Sequence, residues 1–300
     1  MAREHTHKPT PKGALLARYD RTAQRAAAQV IAGYSTSFSA ATRLLSAPIR
    51  QDIRNLYAMV RIADEIVDGT ATQARSTQAH NAQAQASHTP SELLERYRKK
   101  VLDAPKHRFH TDPILHAYAL TARRCDFQVH EVEAFFSAMH TDLTPRGFTA
   151  EELSRYIYGS AEVIGLMCLK IFLRGHSVTP VQRELLERGA RSLGAAFQKV
   201  NFLRDASFDQ QQLGRHYIAD AASHRELATQ AREDLAHAKA AITLLPAQAR
   251  YGVAAATELY EHLLEKVEQP QEVRRRVPGA AKAFIVARAV ARTTLHPKSK

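Results

Sequence analysis

The 300-residue sequence contains no tryptophan, only two cysteines, Cys125 and Cys168, and twelve residues each of glycine and proline. Two cysteines cannot form a disulfide framework, and this usage is typical of a reducing compartment. The N-terminus lacks the apolar core of a signal peptide. The most apolar stretch, 157–173, carries Glu162 and Lys170, which disfavours a membrane span. We therefore expect a cytoplasmic protein.

Acidic residues are in the minority. The chain has 30 Asp and Glu against 42 Lys and Arg, a formal net charge of +12. This surplus favours an anionic partner, which could be a nucleic acid, an acidic membrane surface or a phosphorylated substrate. Charge alone does not choose among the three.

Signals for β-strands are almost absent, because no alternation of β-branched and polar residues persists. Good helix formers dominate, and the few breakers lie between apolar-periodic segments. Thr89-Pro90, Thr149 and Thr179-Pro180 are typical helix starts. We predict an all-α fold with about ten helices, near 14–33, 47–68, 91–104, 113–126, 131–141, 149–173, 180–212, 224–244, 246–268 and 279–292.

The sequence shows no repeat and no linker that would divide it. We predict one all-helical domain over 13–295, with a flexible basic tail at 1–12 and a second basic tail at 296–300. Residues 69–91 are rich in Gln, Ala, Ser and Thr and have no apolar stripe. This composition predicts a polar loop or a weakly ordered helix extension.

Two pairs of aspartates recur at helical spacing. Asp64 and Asp68 are four residues apart, and so are Asp205 and Asp209. On a helix this spacing places both carboxylates on one face. Mg²⁺ typically takes one or two protein carboxylates and completes its octahedron with water and substrate phosphate. Each pair alone is also compatible with a solvated helix face.

Polar residues extend both pairs along the same helix faces. Tyr57 and Arg61 precede the first pair, and Gln198 and Asn201 precede the second. Because apolar residues surround these stripes, we expect them to point inward and to need cations. We also expect Arg61, Arg204 and Arg215 to donate to phosphate oxygens, although an ion pair within the helix is the alternative for Arg61 and Arg204.

The sequence resembles the squalene/phytoene synthases over most of its length. The resembling segments occur in the family's order, at 35–38, 56–68, 156–167, 197–209 and 213–217, and residues 246–292 resemble its C-terminal helices. The resemblance implies a helical bundle of the isoprenoid synthase type around a central cavity. Glu162 departs from this pattern, because many members have a small residue at its position. We expect Glu162 to have either a structural salt bridge or a catalytic role.

The resemblance implies a prenyltransferase that condenses two prenyl diphosphates head to head. It implies Mg²⁺, with Mn²⁺ as the alternative, held by Asp64, Asp68, Asn201, Asp205 and Asp209. The catalytic set would be these four aspartates with Tyr57 and Arg61. The diphosphates would be bound by Ser35, Ser37, Phe38, Arg61, Gln198, Asn201, Arg204, Arg215 and Tyr260. When the diphosphate leaves, an allylic carbocation forms, and the cavity wall around it would include Phe38, Tyr57, Tyr158 and Phe202.

Within the family, the sequence of residues 197–205 is most similar to bacterial members of the carotenoid pathway. This similarity predicts that the enzyme makes phytoene from two geranylgeranyl diphosphates without NADPH. The alternative is a C30 enzyme that uses farnesyl diphosphate. A terpene cyclase is allowed by the spacing of Asn201, Asp205 and Asp209. In another class, a basic helical nucleic-acid-binding protein fits the charge, but the acidic faces favour an enzyme without a nucleic-acid partner. An apolar product predicts peripheral membrane contact.

Overall fold

The computed structural model describes residues 13–79, 88–144, 146–208 and 221–267, and twelve α-helices lie within them. They are α1 Ala14–Tyr34, α2 Thr36–Thr42, α3 Ala47–Val67, α4 Thr70–Ala79, α5 Pro90–Asp103, α6 Pro113–Cys125, α7 Val129–Thr141, α8 Ala150–Ile157, α9 Val163–Leu173, α10 Pro180–Phe208, α11 Ala221–Ile242 and α12 Ala247–Val267. None of these described residues forms a β-strand. The predicted all-α class is therefore confirmed. The two tails and the predicted helix at 279–292 lie outside the described residues.

Reciprocal side-chain caps begin three of the predicted helices. At α5, Thr89 Oγ1 accepts the Glu92 N–H at 3.1 Å, and the Glu92 carboxylate accepts the Thr89 N–H at 2.9 Å. Thr149 and Glu152 repeat this arrangement at α8, and Thr179 and Gln182 repeat it at α10. These bonds satisfy backbone donors that have no partner inside the helix, so the predicted starts are confirmed.

Helix α2 was not expected from the sequence, and helix α4 was expected only as one of two alternatives. The short helix α2 begins where Ser35 Oγ accepts the Phe38 N–H at 3.2 Å. The helix α4 occupies Thr70–Ala79, the first half of the segment for which we predicted a polar loop or a weakly ordered helix extension. In this half of the segment the structure shows the second predicted alternative, a helix, because polar side chains remove an apolar stripe without removing helix propensity. Residues 80–87 lie outside the described part.

The buried core is continuous from α2 to α12. Its largest fully buried side chains include Tyr118, Phe135, Phe136, Met59 and Met167. The helical segment Ala150–Leu173 passes through this core, and it is the one described segment long and apolar enough to cross a membrane. Several of its apolar residues pack inside the bundle, where Val163 and Met167 are fully buried, so packing in the core accounts for part of its hydrophobicity.

A π-helical turn, Tyr158–Glu162, joins α8 to α9. At this turn α10 comes very close to the backbone of its neighbour, because a Cβ added to Gly194 would lie 2.5 Å from the Ala161 carbonyl oxygen. One turn further along, a Cβ at Gly165 would lie 2.3 Å from the Ala190 carbonyl oxygen. Glycine at both positions therefore sets the spacing between α9 and α10.

Candidate active site

A cavity of about 670 Å³ opens between α2, α3, α9, α10, α11 and α12. Its wall combines charged and amide side chains from α3 and α10 with aliphatic and small residues from α2, α3 and α9 to α12. Nine residues predicted from the sequence line this one cavity: Ser35, Phe38, Tyr57, Arg61, Asp64, Gln198, Asn201, Arg204 and Tyr260. The structure therefore brings the two predicted stripes, on α3 and α10, to the same space.

On α3, Arg61 is held by several partners. Its guanidinium lies 3.7 Å from the Asp64 carboxylate and donates through Nε to Glu65 at 2.9 Å. It also stacks over the Tyr34 ring at 4.3 Å from the centroid. The ion pair within the helix and the cavity position therefore occur together: the same arginine is fixed in place and faces the cavity.

Asp64 occupies an unfavourable site for a carboxylate. Burial, together with the charge of Asp68 four residues later, raises the pKa of Asp64 to about 8, although Arg61 opposes the shift. Its side chain is still 29% exposed, towards the cavity. A cation at this place would offset both the desolvation and the repulsion.

On α10, the polar stripe is fixed from two sides. Arg204 Nε donates to the Asp205 carboxylate at 2.9 Å. The Tyr260 hydroxyl donates to Asn201 Oδ1 at 3.4 Å. The Tyr260 ring stacks on Phe197, with centroids 3.7 Å apart, and burial raises the pKa of Tyr260, so its hydroxyl stays a donor.

The donors at the cavity are those that Mg²⁺ prefers. Asp64 and Asn201 provide a carboxylate and an amide oxygen at the cavity wall, and Asp68 and Asp205 lie four residues further along the same two helix faces. Such oxygen donors suit Mg²⁺. Within the described residues, no three acidic, histidine or cysteine side chains lie close enough to hold a metal by themselves. The donor set therefore fits a metal that substrate phosphate also ligates.

Some predicted residues are not at the cavity wall. Asp68 ends α3 and Asp205 pairs with Arg204, and neither is among the lining residues. Asp209, Arg215 and the side chain of Ser37 lie outside the described part. Two aromatic predictions are wrong: Tyr158 instead lies under the guanidinium of Arg191, and Phe202 is buried in the core beside Tyr156.

Glu162 makes an ion pair. Arg191 Nε donates to its carboxylate at 2.7 Å, and the same guanidinium stacks over Tyr158 at 5.5 Å. Glu162 is absent from the cavity wall. Of the two roles expected for it, the structure supports the salt bridge, which links the π-helical turn to α10.

Sequence reasoning missed several residues near the site. Tyr34, at the end of α1, lines the cavity and carries the Arg61 guanidinium. Asp142, which follows α7, accepts the buried Tyr156 hydroxyl at 2.8 Å and adds negative charge near Asp64. No spacing in the sequence marks these residues, because their helices meet the site only through the fold. Cys168 also lines the cavity, and burial raises its thiol pKa to about 12, so it stays protonated.

Comparison with known proteins assigns the chain to a family. The squalene/phytoene synthase family matches residues 31–221, which include both aspartate motifs. This chain belongs to the squalene/phytoene synthase family. It is therefore an enzyme of the prenyltransferase type, as its resemblance predicted.

The relatives are of two kinds. A 15-cis-phytoene synthase of Paracoccus sp. (strain N81106 / MBIC 01143) is 28% identical over 84% of this chain and 84% of its own length. A 15-cis-phytoene synthase of Pantoea ananas is 26% identical over 81% of this chain and 82% of its own. Among solved structures, a dehydrosqualene synthase superposes with a TM-score of 0.74 at 19% identity, covering 93% of this chain and 99% of the other. This likeness confirms the isoprenoid synthase fold.

Proposed function

We propose that this enzyme condenses two molecules of geranylgeranyl diphosphate head to head into phytoene, through a cyclopropylcarbinyl diphosphate. Similarity to bacterial proteins named 15-cis-phytoene synthase along most of the chain supports the product. The observation that carries the proposal is the single cavity, which joins the Asp64 stripe of α3 to the Asn201 stripe of α10. Its remaining wall is mostly apolar.

The residues of the two stripes fit the demands of diphosphate departure. A diphosphate leaves readily only when its negative charge is neutralised. Arg61 and Arg204 both line the cavity and supply fixed guanidinium groups, and Mg²⁺, when bound, would supply the remaining positive charge. The candidate metal ligands are the predicted ones: Asp64, Asp68, Asn201, Asp205 and Asp209.

The apolar wall fits the carbocation that follows. The cation has to be kept from water, and aliphatic side chains exclude water from the cavity. Phe38 and Tyr57, whose ring centroids lie 5.9 Å apart, offer aromatic faces beside the charged residues. Burial raises the pKa of Tyr57 to about 12, so its hydroxyl stays neutral near the diphosphate.

A C30 reaction with farnesyl diphosphate is the second candidate, because a dehydrosqualene synthase has the same fold. That likeness concerns the fold alone at 19% identity. The two candidates share the site and differ in the length of chain that the apolar part of the cavity accepts. Phytoene requires no reductant, whereas squalene requires a nicotinamide.

Product analysis tests the proposal. Purified protein with Mg²⁺ is incubated with geranylgeranyl or farnesyl diphosphate, each with and without NADPH, and the hydrocarbons are identified by mass. We expect a C40 hydrocarbon from geranylgeranyl diphosphate without NADPH. A C30 product would mean that the reaction is the same but that its substrate is farnesyl diphosphate. If neither substrate gave a hydrocarbon, the result would contradict the proposed function. We further propose that the enzyme works in the cytoplasm, in contact with a membrane that accepts its apolar product.

A further inference from the structure

Arginines are concentrated at the start of the described fold. Residues 13–63 contain seven arginines, no lysine and only two acidic residues, Asp20 and Asp52. Asp20 is already engaged by Arg108 at 3.0 Å and by His116 at 2.7 Å. Asp52 is buried, 1% exposed, against Thr121 and Arg124 of α6. Neither carboxylate is left to neutralise the remaining arginines of this segment.

Three of these arginines form a cluster, defined here as Arg43, Arg50 and Arg54. Arg43 directly follows α2, and Arg50 and Arg54 lie one turn apart on α3. Arg50 Nη1 donates to the Arg43 backbone carbonyl at 3.3 Å, which ties the two chain segments together. Within the described residues, no acidic side chain pairs with any of the three.

Arg54 is the unusual member of the cluster. Its Nε is buried and has no hydrogen-bond partner within the described part of the chain. Burial, and then the charges of Arg50 and Arg43, lower the pKa of Arg54. An arginine on an ordinary solvated face keeps its donors in water, whereas this one combines an unmet donor with like-charged neighbours.

We propose that Arg43, Arg50 and Arg54 form a binding site for a phosphate-bearing anion, separate from the substrate cavity. Guanidinium groups bind phosphate through paired N–H donors, and a dianion would relieve the repulsion among the three. None of the three lines the cavity. The anion is either a free phosphate or the headgroup phosphate of an anionic lipid. The site does not rest on the proposed reaction.

The matched variants are two double substitutions of the full chain. Arg50→Gln/Arg54→Gln removes the cluster's charge, and Arg188→Gln/Arg225→Gln removes the same charge from exposed arginines of α10 and α11. Neither control arginine forms an ion pair within the described residues. We expect the cluster variant to melt no lower than wild type in phosphate-free buffer, because the change removes repulsion.

Calorimetric titration with inorganic phosphate, in EDTA, tests the free anion. Sedimentation with vesicles of phosphatidylcholine, with or without phosphatidylglycerol, tests the lipid source. In at least one arm we expect the cluster variant to bind about tenfold or more weakly than wild type, while the control variant stays within about twofold. The arm that responds identifies the source. Equal binding by the cluster and control variants in both arms would overturn the site.

A third variant separates the geometry from the charge. Arg54→Lys keeps the charge but removes the planar fork, so we expect it to weaken phosphate or vesicle binding in the arm that responds. Wild-type binding by this variant in that arm would overturn the assignment of Arg54 as a paired donor. These binding experiments contain no prenyl diphosphate and no Mg²⁺. A negative result would therefore not bear on the proposed reaction, and failure of the proposed reaction would not bear on the anion site.

Discussion

Asp64 and Asp20 are aspartates with opposite electrostatic surroundings. Asp64 faces the cavity beside Asp68, and burial and that neighbouring charge raise its pKa to about 8. At Asp20, burial also acts to raise the pKa, but hydrogen bonds from Arg108 and His116 outweigh it and hold the pKa below its ordinary value. The first carboxylate therefore costs the ligand-free fold stability when ionised, whereas the second contributes stability.

Replacement of Asp64 should stabilise the ligand-free enzyme at alkaline pH. Between about pH 4 and pH 8 the native state holds a proton on Asp64 that the unfolded state has lost, so stability falls as pH rises through this window. Asp64→Asn has no carboxyl group at this position, so its stability does not fall in this way as pH rises. We expect its melting temperature, measured in EDTA, to exceed that of wild type by more at pH 8 than at pH 5. A variant less stable than wild type at pH 8 would contradict this electrostatic account.

Replacement of Asp20 should have the opposite effect. A lowered pKa contributes stability above the unfolded value near pH 4, and this contribution disappears as pH falls through the native pKa. Asp20→Asn removes it and leaves buried His116 without a charged partner. We expect a loss of about 1–3 kcal/mol in the free energy of unfolding at pH 7.

The measurement is urea unfolding of both proteins at pH 7 and at pH 3. The difference between wild type and Asp20→Asn should shrink at pH 3, because the unfolded chain is then protonated at Asp20 and part of the contribution from the lowered native pKa is lost. An equal difference at both pH values would mean that shape, and not charge, holds α1 to the segment before α6.

Among the elements, α10 packs closely against α9 and the π-helical turn before it, and this contact depends on residue size. A methyl group at Gly194 would meet the Ala161 carbonyl oxygen at 2.5 Å, and backbone cannot move aside as a flexible side chain can. Gly194 also lines the cavity. The spacing of these helices therefore affects both stability and the shape of the site.

Gly194→Ala should destabilise the fold by about 1–3 kcal/mol. The matched control is Gly33→Ala, the same substitution in helix α1, where a Cβ meets nothing within 4 Å. We expect the control to be unchanged or stabilised by up to about 1 kcal/mol, because alanine favours helix. Urea midpoints of the two variants provide the comparison, and similar midpoints would contradict the close approach.

Helix positions could be predicted from the sequence where a local signal marks them. Thr89 and Thr149 cap α5 and α8, and each forms its bonds within four residues of chain. The helix α2 was missed because Thr36–Thr42 is too short for apolar periodicity, and the π-helical turn because a π turn follows from packing against neighbours.

The candidate site could be predicted to a similar limit. Spacing placed Tyr57, Arg61 and Asp64 on one face of a helix, and the cavity wall contains all three. Tyr34 and Asp142 could not be found this way, because they approach Arg61 and Asp64 from other helices. Residue spacing shows which side chains share a face of one helix, whereas the site is formed by several helices.

For the whole molecule, the apolar core and the metal chemistry are separable. The core runs from α2 to α12 without any metal ligand. We therefore expect EDTA to abolish product formation and added Mg²⁺ to restore it, while the far-ultraviolet circular dichroism spectrum stays unchanged. Activity that persists after thorough chelation would contradict a metal role, and lost helicity would mean that metal supports the fold.

The central claim is that the α3 and α10 stripes act together on one prenyl diphosphate site. The most direct measurement is the rate of diphosphate release from geranylgeranyl and farnesyl diphosphate, with Mg²⁺, by wild type, Asp64→Asn and Asp205→Asn. We predict that each substitution lowers the rate by about 100-fold or more with helicity intact. Near-wild-type release by both variants would contradict the claim.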